Sequence, residues 1–518
     1  MLRMHRPANA RRVVIMARVV RHKGARFRAA PLGRHIAYLK REGVTKDGRD
    51  AGLFDANVDR ADGEIFAERC AGDRHHFRFI ISPEDAGEMD DLHAFTRELM
   101  ADAERDLDTR LDWVAVDHWN TDNPHIHLLV RGRTDDGSDL IIDRDYIREG
   151  LRARAEERVT LELGPRSEHE IRAALEREID ADRWTSLDQR LRDLTDDLAG
   201  TVDLRPGGPD NSDMRRLLCG RADKLERLGL AEEHSSGIWH IRADAEQVLR
   251  DLAIRTDIIK TMHRAMRDSG RVPDFDTFAL HDTAPDSEVV GKLVERGLHD
   301  ELTGSAYAVI DGADGRTHHL RFDDLDMTGD AGAGAIVEVR HWQDNQGKDR
   351  VSLATRSDLP LSEQITAPGA TWLDRQLLAR EPVATGNGFG IEIRDAMSER
   401  ARVLEADGLA RRQGNGFRFE RDLIETLRAR ELAHETTAIA SRTGLAHRPS
   451  AEGEFVTGIY RERVTLSSGR FAMIDDGLGF QLVPWRPALD AHLGQHVSGT
   501  MGRGGVDWAL GRGRGLGL

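Results

Sequence analysis

The N-terminal third of the chain alternates strand-like and helix-like patterning. Residues 12–20, RVVIMARVV, are β-branched and apolar and predict a strand. Residues 31–42, PLGRHIAYLKRE, predict a helix, with Pro31 near its start and Gly43 just past its end. Its apolar stripe is Leu32, Ile36 and Leu39. Residues 76–82, HFRFIIS, predict a second strand, with His76, Arg78 and Ser82 on one face. Ser82-Pro83-Glu84-Asp85 then reads as a helix start, with Ser at the N-cap and Pro at the first helical position. That helix runs to about Asp106, burying Leu92, Phe95, Leu99 and Ala103. Residues 111–118 and 124–132 predict two more strands, and WNTDN between them is a natural hairpin connection. Helical sequence follows from Arg144 and again from about Ser167. This first unit predicts an α+β domain, an antiparallel sheet with helices, over residues 1–185.

The second half repeats itself. RADKLERLGLAEEHSSGIWHI, starting at 221, matches RARVLEADGLARRQGNGFRFE, starting at 400. Leu225 aligns with Leu404, Gly229 with Gly408 and Gly237 with Gly416, at a constant offset of 179. Each copy reads as helix, Gly turn, short ribbon, helix, which is a winged-helix-like pattern. A second repeated piece follows each copy: 289–312 is similar to 456–477, and both show short strands with Gly turns that suggest a small β-barrel. The expected order is therefore a winged-helix-like segment at 206–280, a barrel at 285–345, a second winged-helix-like segment at 368–450 and a second barrel at 451–512.

A chain of 518 residues with 39% hydrophobic and 32% charged positions can build several globular domains. No apolar run approaches the ~20 residues that span a bilayer, and no apolar stretch follows the early arginines as a secretory leader requires. Cys70 and Cys219 lie far apart, which rules out a disulfide framework and a Cys-based zinc site and points to a reducing cytoplasm. The net charge of −16 excludes a protein that coats nucleic acid over its whole surface. Yet residues 1–50 hold fourteen Lys/Arg against three Asp/Glu. That basic end is either a phosphate footprint or a solvated tail. The Gly/Arg-rich tail Gly502–Leu518 is of low complexity, a candidate secretion or DNA-contact signal.

The sharpest chemistry lies in the hairpin. His125 and His127 are two apart on a strand and share a face, and the hairpin brings His118 opposite His125. Three imidazoles could then converge on one metal ion, and donor chemistry alone suggests zinc. The alternative is a set of surface histidines on a sheet face, whose loss would cost the fold little. Tyr38, on the first helix, has Arg34 at i−4 and Arg41 at i+3. A phenol beside guanidinium groups suits attack on a phosphate. The other reading of Tyr38 is an amphipathic side chain at the surface.

Taken together these residues resemble a known family. Over residues 12–165 the chain looks like a relaxase, a mobilization nuclease of the His-hydrophobic-His endonuclease superfamily, and resembles the T-DNA border endonuclease group. The resemblance is carried by AYLKREG (37–43), RHHFRFIISP (74–83) and DHWNTDNPHIHLLVRG (117–132). Asn120 stands where that family often has an acid, and Asp122 remains as a carboxylate that orients a ligand. The repeated second half resembles a region of unknown function that accompanies some relaxases of mobile elements.

The resemblance implies a relaxase fold and Tyr38 as the nucleophile that forms a 5′-phosphotyrosine. It implies His118, His125 and His127 as ligands of Mg2+ or Mn2+, with zinc left open by the imidazoles, and Arg34, Arg41 and Arg78 as DNA contacts. The implied partners are single-stranded DNA at a transfer origin, a type IV secretion coupling protein and accessory DNA-binding proteins. The implied location is the cytoplasm, with export alongside the DNA. A rolling-circle replication initiator would use the same chemistry. A non-catalytic winged-helix DNA-binding regulator and a tri-histidine zinc hydrolase are the readings from other classes.

Overall fold

The computed structural model describes residues 9–22, 30–42, 45–46, 49, 52–119, 124–195, 200–206, 212–345, 347–414, 416–502 and 505–510. Among them the chain is a mixed α+β protein with several antiparallel sheets and twelve α-helices. It divides into two compact units: Met1–Asp257 together with Asp300–Gly304, and Ile258–His299 together with Ser305–Leu518.

The first unit is built on strands β1 (Val13–Arg21), β2 (His75–Pro83), β3 (Trp113–His118) and β4 (His125–Arg131), in the spatial order β1-β2-β4-β3. Every pair is antiparallel. The helices of its N-terminal part are α1 (Ala30–Glu42), α2 (Gly63–Arg69), α3 (Leu92–Leu107) and α4 (Leu151–Leu163). Alternation along the strands gives the sheet two different faces. One carries Phe77, Phe79, Ile81, Trp113, Ala115, Ile126, Leu128 and Val130, packed on Leu92, Phe95 and Leu99 of α3 and on Leu151, Ala155 and Val159 of α4. Each large side chain of this layer contributes roughly 1.5–3 kcal/mol by leaving water. The other face carries His76, Arg78 and Ile80 of β2, His125 and His127 of β4, and Val116 and His118 of β3. The stripe Leu32, Ile36 and Leu39 of α1 is buried as the periodicity requires, and α1 contacts β3.

Two boundaries differ from the sequence expectation. Ser82 and Pro83 do not start a helix; they close β2, where Val14 pairs with Ser82 and Val13 with Pro83. A proline at the last residue of a strand costs at most one ladder bond, so sheet pairing prevails over the capping signal. The helix starts instead at Leu92, where Asp91 caps it by accepting from the backbone N–H of His93 and Ala94. Helical structure after Arg144 begins as a π-helical turn, Tyr146–Gly150, before α4.

The first unit continues with α5 (Glu168–Ile179), α6 (Ser186–Leu194), β5 (Thr201–Asp203), α7 (Ser212–Arg227), β6 (Ala231–Ser235) and β7 (Ile238–Ile241). Helix α8 (Ala245–Asp268) follows. The second unit has a six-stranded sheet made of β8 (Phe278–His281), β9 (Val290–Asp300), β10 (Ser305–Gly312), β11 (Thr317–Phe322), β12 (Ile336–Gln343) and β13 (Asp349–Ser357). Then come α9 (Leu361–Thr366), α10 (Trp372–Leu378), α11 (Phe389–Ala406), the ribbon β14 (Ala410–Gln413) and β15 (Gly416–Phe419), and α12 (Leu423–Thr443). A five-stranded sheet of β16 (Phe455–Leu466), β17 (Gly469–Asp475), β18 (Phe480–Pro484), β19 (His496–Gly502) and β20 (Gly505–Trp508) ends the described chain.

The sequence α7, β6, β7, α8 has the same element order as α11, β14, β15, α12. The likeness extends to a buried ion pair in each. Arg221 of α7 lies 2.8 Å from Asp188, and Arg400 of α11 lies 2.8 Å from Asp374. Both aspartates also close capping boxes, with Thr185 and Thr371. Both guanidinium groups donate further to backbone carbonyls, those of Ala181 and Arg183 in one case and Ala367 and Gly369 in the other. Gly229 and Gly408 turn the chain after the first helix of each with φ +72 and +74.

Among the described residues no helix is long and apolar enough to cross a membrane.

Candidate metal centre

The β3–β4 hairpin sets His118 directly opposite His125, and His127 follows on the same face. The three rings cluster, with His118 4.4 Å from His127 and 5.4 Å from His125, centroid to centroid. His125 Nε2 and His127 Nε2 are 3.1 Å apart. These are buried positions rather than a surface array: the side chains of His118 and His127 are 3% and 4% exposed.

A fourth donor comes from a position that no sequence pattern indicated. Glu301, in the turn after β9, places Oε2 2.9 Å from His127 Nε2 and 3.4 Å from His125 Nε2, with Oε1 3.9 Å from His118 Nδ1. One donor atom from each of His118, His125, His127 and Glu301 falls within 4.8 Å of the others, a set that can hold a metal ion.

The electrostatics fit a cation. Burial pushes the His118 imidazole down to about 4, and the neighbouring His127 adds to it. Burial also lowers His127. Neutral imidazoles keep the lone pairs that a metal needs. For Glu301, burial acts to raise the carboxyl, but His127 and His125 outweigh it through charge and hydrogen bonds and hold it well below the carboxylate range. His118 Nε2 donates to the Leu39 carbonyl at 3.1 Å, which fixes the tautomer and leaves Nδ1 to face the cluster.

The basic side of the site is organised by hydrogen bonds. Arg78 Nε donates to His76 Nε2 at 3.2 Å, His76 Nδ1 donates to His22 Nε2 at 2.8 Å, and His22 Nδ1 donates to the Asp73 carbonyl at 2.7 Å. Only neutral histidines can run this relay, and burial lowers both His76, to about 2, and His22. The Arg78 guanidinium is itself pushed down to about 10 by burial and by Arg18. Among the described residues no carboxylate forms an ion pair with Arg78. It therefore remains a cation suited to an anionic ligand. His35 of α1 joins the same neighbourhood; burial lowers it well below its usual value, and Arg78 and His127 lower it further.

Tyr38 is buried, 8% exposed, and not a surface side chain. It precedes Leu39, whose carbonyl holds His118. The structure thus brings together His118, His125, His127 and Glu301, with Arg78 on the same sheet face. Arg34 and Arg41 lie on α1, but their side chains fall outside the described residues, as do Asn120 and Asp122 altogether. Much of the basic N-terminal stretch and most of the Gly/Arg tail also fall outside them. The Tyr146 hydroxyl donates to Asp106 at 3.0 Å, and burial together with that carboxylate raises it.

Sequence reasoning missed Glu301, His22 and His35. His35 carried a readable signal, since it lies one helical turn before Tyr38. Glu301 carried none.

Residues 218–351 and 341–517 match the family model described as Protein of unknown function (DUF3363). No curated protein and no solved structure matches the chain.

Proposed function

This chain belongs to the DUF3363 family of unknown function, and from its site we propose that it is a relaxase. It would be a strand-specific DNA-nicking transesterase that forms a 5′-phosphotyrosine link at a transfer origin and starts conjugative mobilization. The observation that carries this reading is the convergence of His118, His125 and His127 beside the helix that bears Tyr38, with Leu39 hydrogen-bonded to His118.

The chemistry balances on these groups. The Tyr38 oxygen attacks the scissile phosphorus, a P–O bond to tyrosine forms, and the P–O3′ bond breaks to leave a free 3′-hydroxyl. The phenol proton passes to a neutral imidazole or to water, and the departing 3′ oxygen takes up a proton. His118, His125 and His127 hold the metal, and Arg78 supplies a fixed positive charge to the phosphate. When bound, the metal polarises a non-bridging phosphate oxygen. By family resemblance it is Mg2+ or Mn2+, and the imidazole-rich set also suits Zn2+. The phosphotyrosine conserves the phosphodiester bond energy, so the strand can be rejoined without ATP.

The relaxase fold is proposed for the four-stranded sheet and its helices. The paired segments α7–α8 and α11–α12, with the sheets that follow them, are proposed as winged-helix-like and barrel modules that hold flanking duplex or dock a type IV secretion coupling protein and accessory DNA-binding proteins. The proposed location is the cytoplasm, with export alongside the DNA.

A second reading is a metal hydrolase in which Tyr38 plays no part; the carboxylate of Glu301 beside three imidazoles favours it. The test is incubation of the full chain with supercoiled plasmid carrying its own element's origin and a divalent cation. A nick with protein covalently attached to the 5′ end supports the relaxase. Cleavage with free ends supports the hydrolase. A rolling-circle initiator would give the same adduct at a replication origin, and a non-catalytic regulator would give no nick.

A further inference from the structure

Glu301 is held in place by its own turn. The Asp300 carboxylate accepts from the backbone N–H of Leu302 at 2.9 Å and of Thr303 at 3.1 Å. The Gly304 N–H closes the turn onto the Asp300 carbonyl at 2.7 Å, and Gly304 takes φ +78, a conformation that favours glycine. This geometry lets the Glu301 side chain reach all three imidazoles, and among the described residues its carboxylate is the only acidic group in the donor cluster. The same turn approaches the arginine of the site: a Cβ on Gly304 would sit 3.2 Å from Arg78 Nη1. The turn therefore lies against both the imidazole cluster and Arg78.

We propose that Glu301 is a fourth protein ligand of the metal and that its carboxylate competes with phosphate oxygen for the same coordination position. The proposal rests on the metal-dependent relaxase reading above and adds a regulatory element to it. A carboxylate and a phosphate both offer a hard anionic oxygen to the same cation. Three neutral imidazoles and one carboxylate make a set with net charge −1, which binds a divalent ion more tightly than imidazoles alone. The same ligand keeps one position away from phosphate until it is displaced. The resting site is then well loaded with metal and shielded, and the scissile phosphate must displace Glu301 to bind.

The test uses the full chain, Mn2+ and inorganic phosphate. Isothermal titration of Mn2+ into wild type and Glu301→Gln is expected to show one site in both, with the Kd raised about tenfold or more in the variant. Electron paramagnetic resonance of the Mn2+-loaded proteins, titrated with phosphate, is expected to show tighter phosphate binding in Glu301→Gln than in wild type. Glu301→Asp keeps the charge but shortens the reach, and is expected to fall between them; it serves if Glu301→Gln does not fold. Unchanged Mn2+ and phosphate affinities in the folded variants overturn the proposal while leaving the three-histidine site intact. If wild type binds no Mn2+, or if His127→Gln binds it as wild type does, the metal reading itself fails and takes this proposal with it.

Discussion

The Leu39 carbonyl accepts a hydrogen bond from His118 Nε2 at 3.1 Å. One contact thus ties the helix that carries Tyr38 to an imidazole of the candidate metal centre. A metal-binding histidine commonly donates its second ring N–H to a carbonyl or carboxylate, which orients the ring and raises its basicity. Here the orienting carbonyl belongs to the residue after the proposed nucleophile. Any shift of α1 therefore reaches the candidate metal centre within one hydrogen bond.

Tyr38→Phe is expected to abolish the covalent DNA adduct and to leave binding of single-stranded origin DNA nearly unchanged. Only the hydroxyl forms the bond to phosphorus. Tyr38 is buried, so deleting its hydroxyl is expected to cost about 0.5–1.5 kcal/mol of stability. Denaturing gels of labelled origin oligonucleotide read out the adduct. Tyr146→Phe is the control and is expected to keep it, since that hydroxyl is committed to Asp106. An adduct retained in Tyr38→Phe would move the nucleophile elsewhere.

His125→Ala and His127→Gln are expected to lose metal-dependent cleavage and to weaken metal binding in calorimetry. The stability cost differs between them. The side chain of His125 is 12% exposed and that of His127 is 4% exposed, so the substitution at 127 is expected to cost more, about 1–3 kcal/mol. Melting curves beside the calorimetry separate the two effects. Unchanged metal affinity in both variants would exclude the imidazole site.

The parts of this site that share a strand pair were legible, and the parts brought by distant chain were not. Alternation alone puts His125 and His127 on one face, and the short connection fixes His118 opposite His125, as the register has it. The stripe of α1 follows from helical periodicity. Ser82-Pro83-Glu84 satisfies a helix-capping pattern locally, but pairing of β2 with β1 decides the outcome and α3 starts later. Glu301 sits in a turn far along the chain, and no local spacing relates it to the histidines. The alignment of Arg221 with Arg400 was within the sequence repeat, but their partners Asp188 and Asp374 lie upstream of it at a different spacing.

Those two buried pairs are expected to be the most costly single positions to break. Arg400 is 1% exposed and Arg221 is fully buried. Arg400→Ala would strand Asp374 in the interior, and Arg221→Ala would strand Asp188, each costing roughly 3–5 kcal/mol. Arg400→Lys is expected to be nearly as damaging, because an ammonium cannot serve both carboxylate oxygens and the carbonyls of Ala367 and Gly369 together. Urea denaturation of the variants measures the loss. A change within experimental error in Arg400→Ala would show that the pair does not hold α11 to α10.

Stability is expected to fall as the pH drops from 7.5 to 5.5, and His319 gives the sign. His319 is 2% exposed and stacks on Tyr307 at 5.4 Å between ring centroids. His299, His281 and Arg321 are its charged and titratable neighbours. Burial, reinforced by these groups, holds its pKa down at about 3. In the unfolded chain a histidine titrates near ~6.5. Above that value neither state is protonated and the stability is fully present. Between about 6.5 and about 3 the unfolded chain binds a proton that the folded chain refuses, so folding loses about 1.4 kcal/mol per pH unit for this group. His76, lowered to about 2, acts with the same sign. His93 acts oppositely: burial lowers it, but Asp117 outweighs that and raises it, so its contribution is present at low pH and is lost as pH rises. Urea melts at half-unit steps between pH 7.5 and 5.5 isolate the histidines, because most carboxylates titrate lower. His319→Phe keeps the stack on Tyr307 and removes the titrating ring. It is expected to flatten the slope by close to one proton below pH 6. An identical slope in wild type and His319→Phe would mean that His319 takes up its proton in the folded protein over the same pH range as in the unfolded chain, and the burial argument for it would fall.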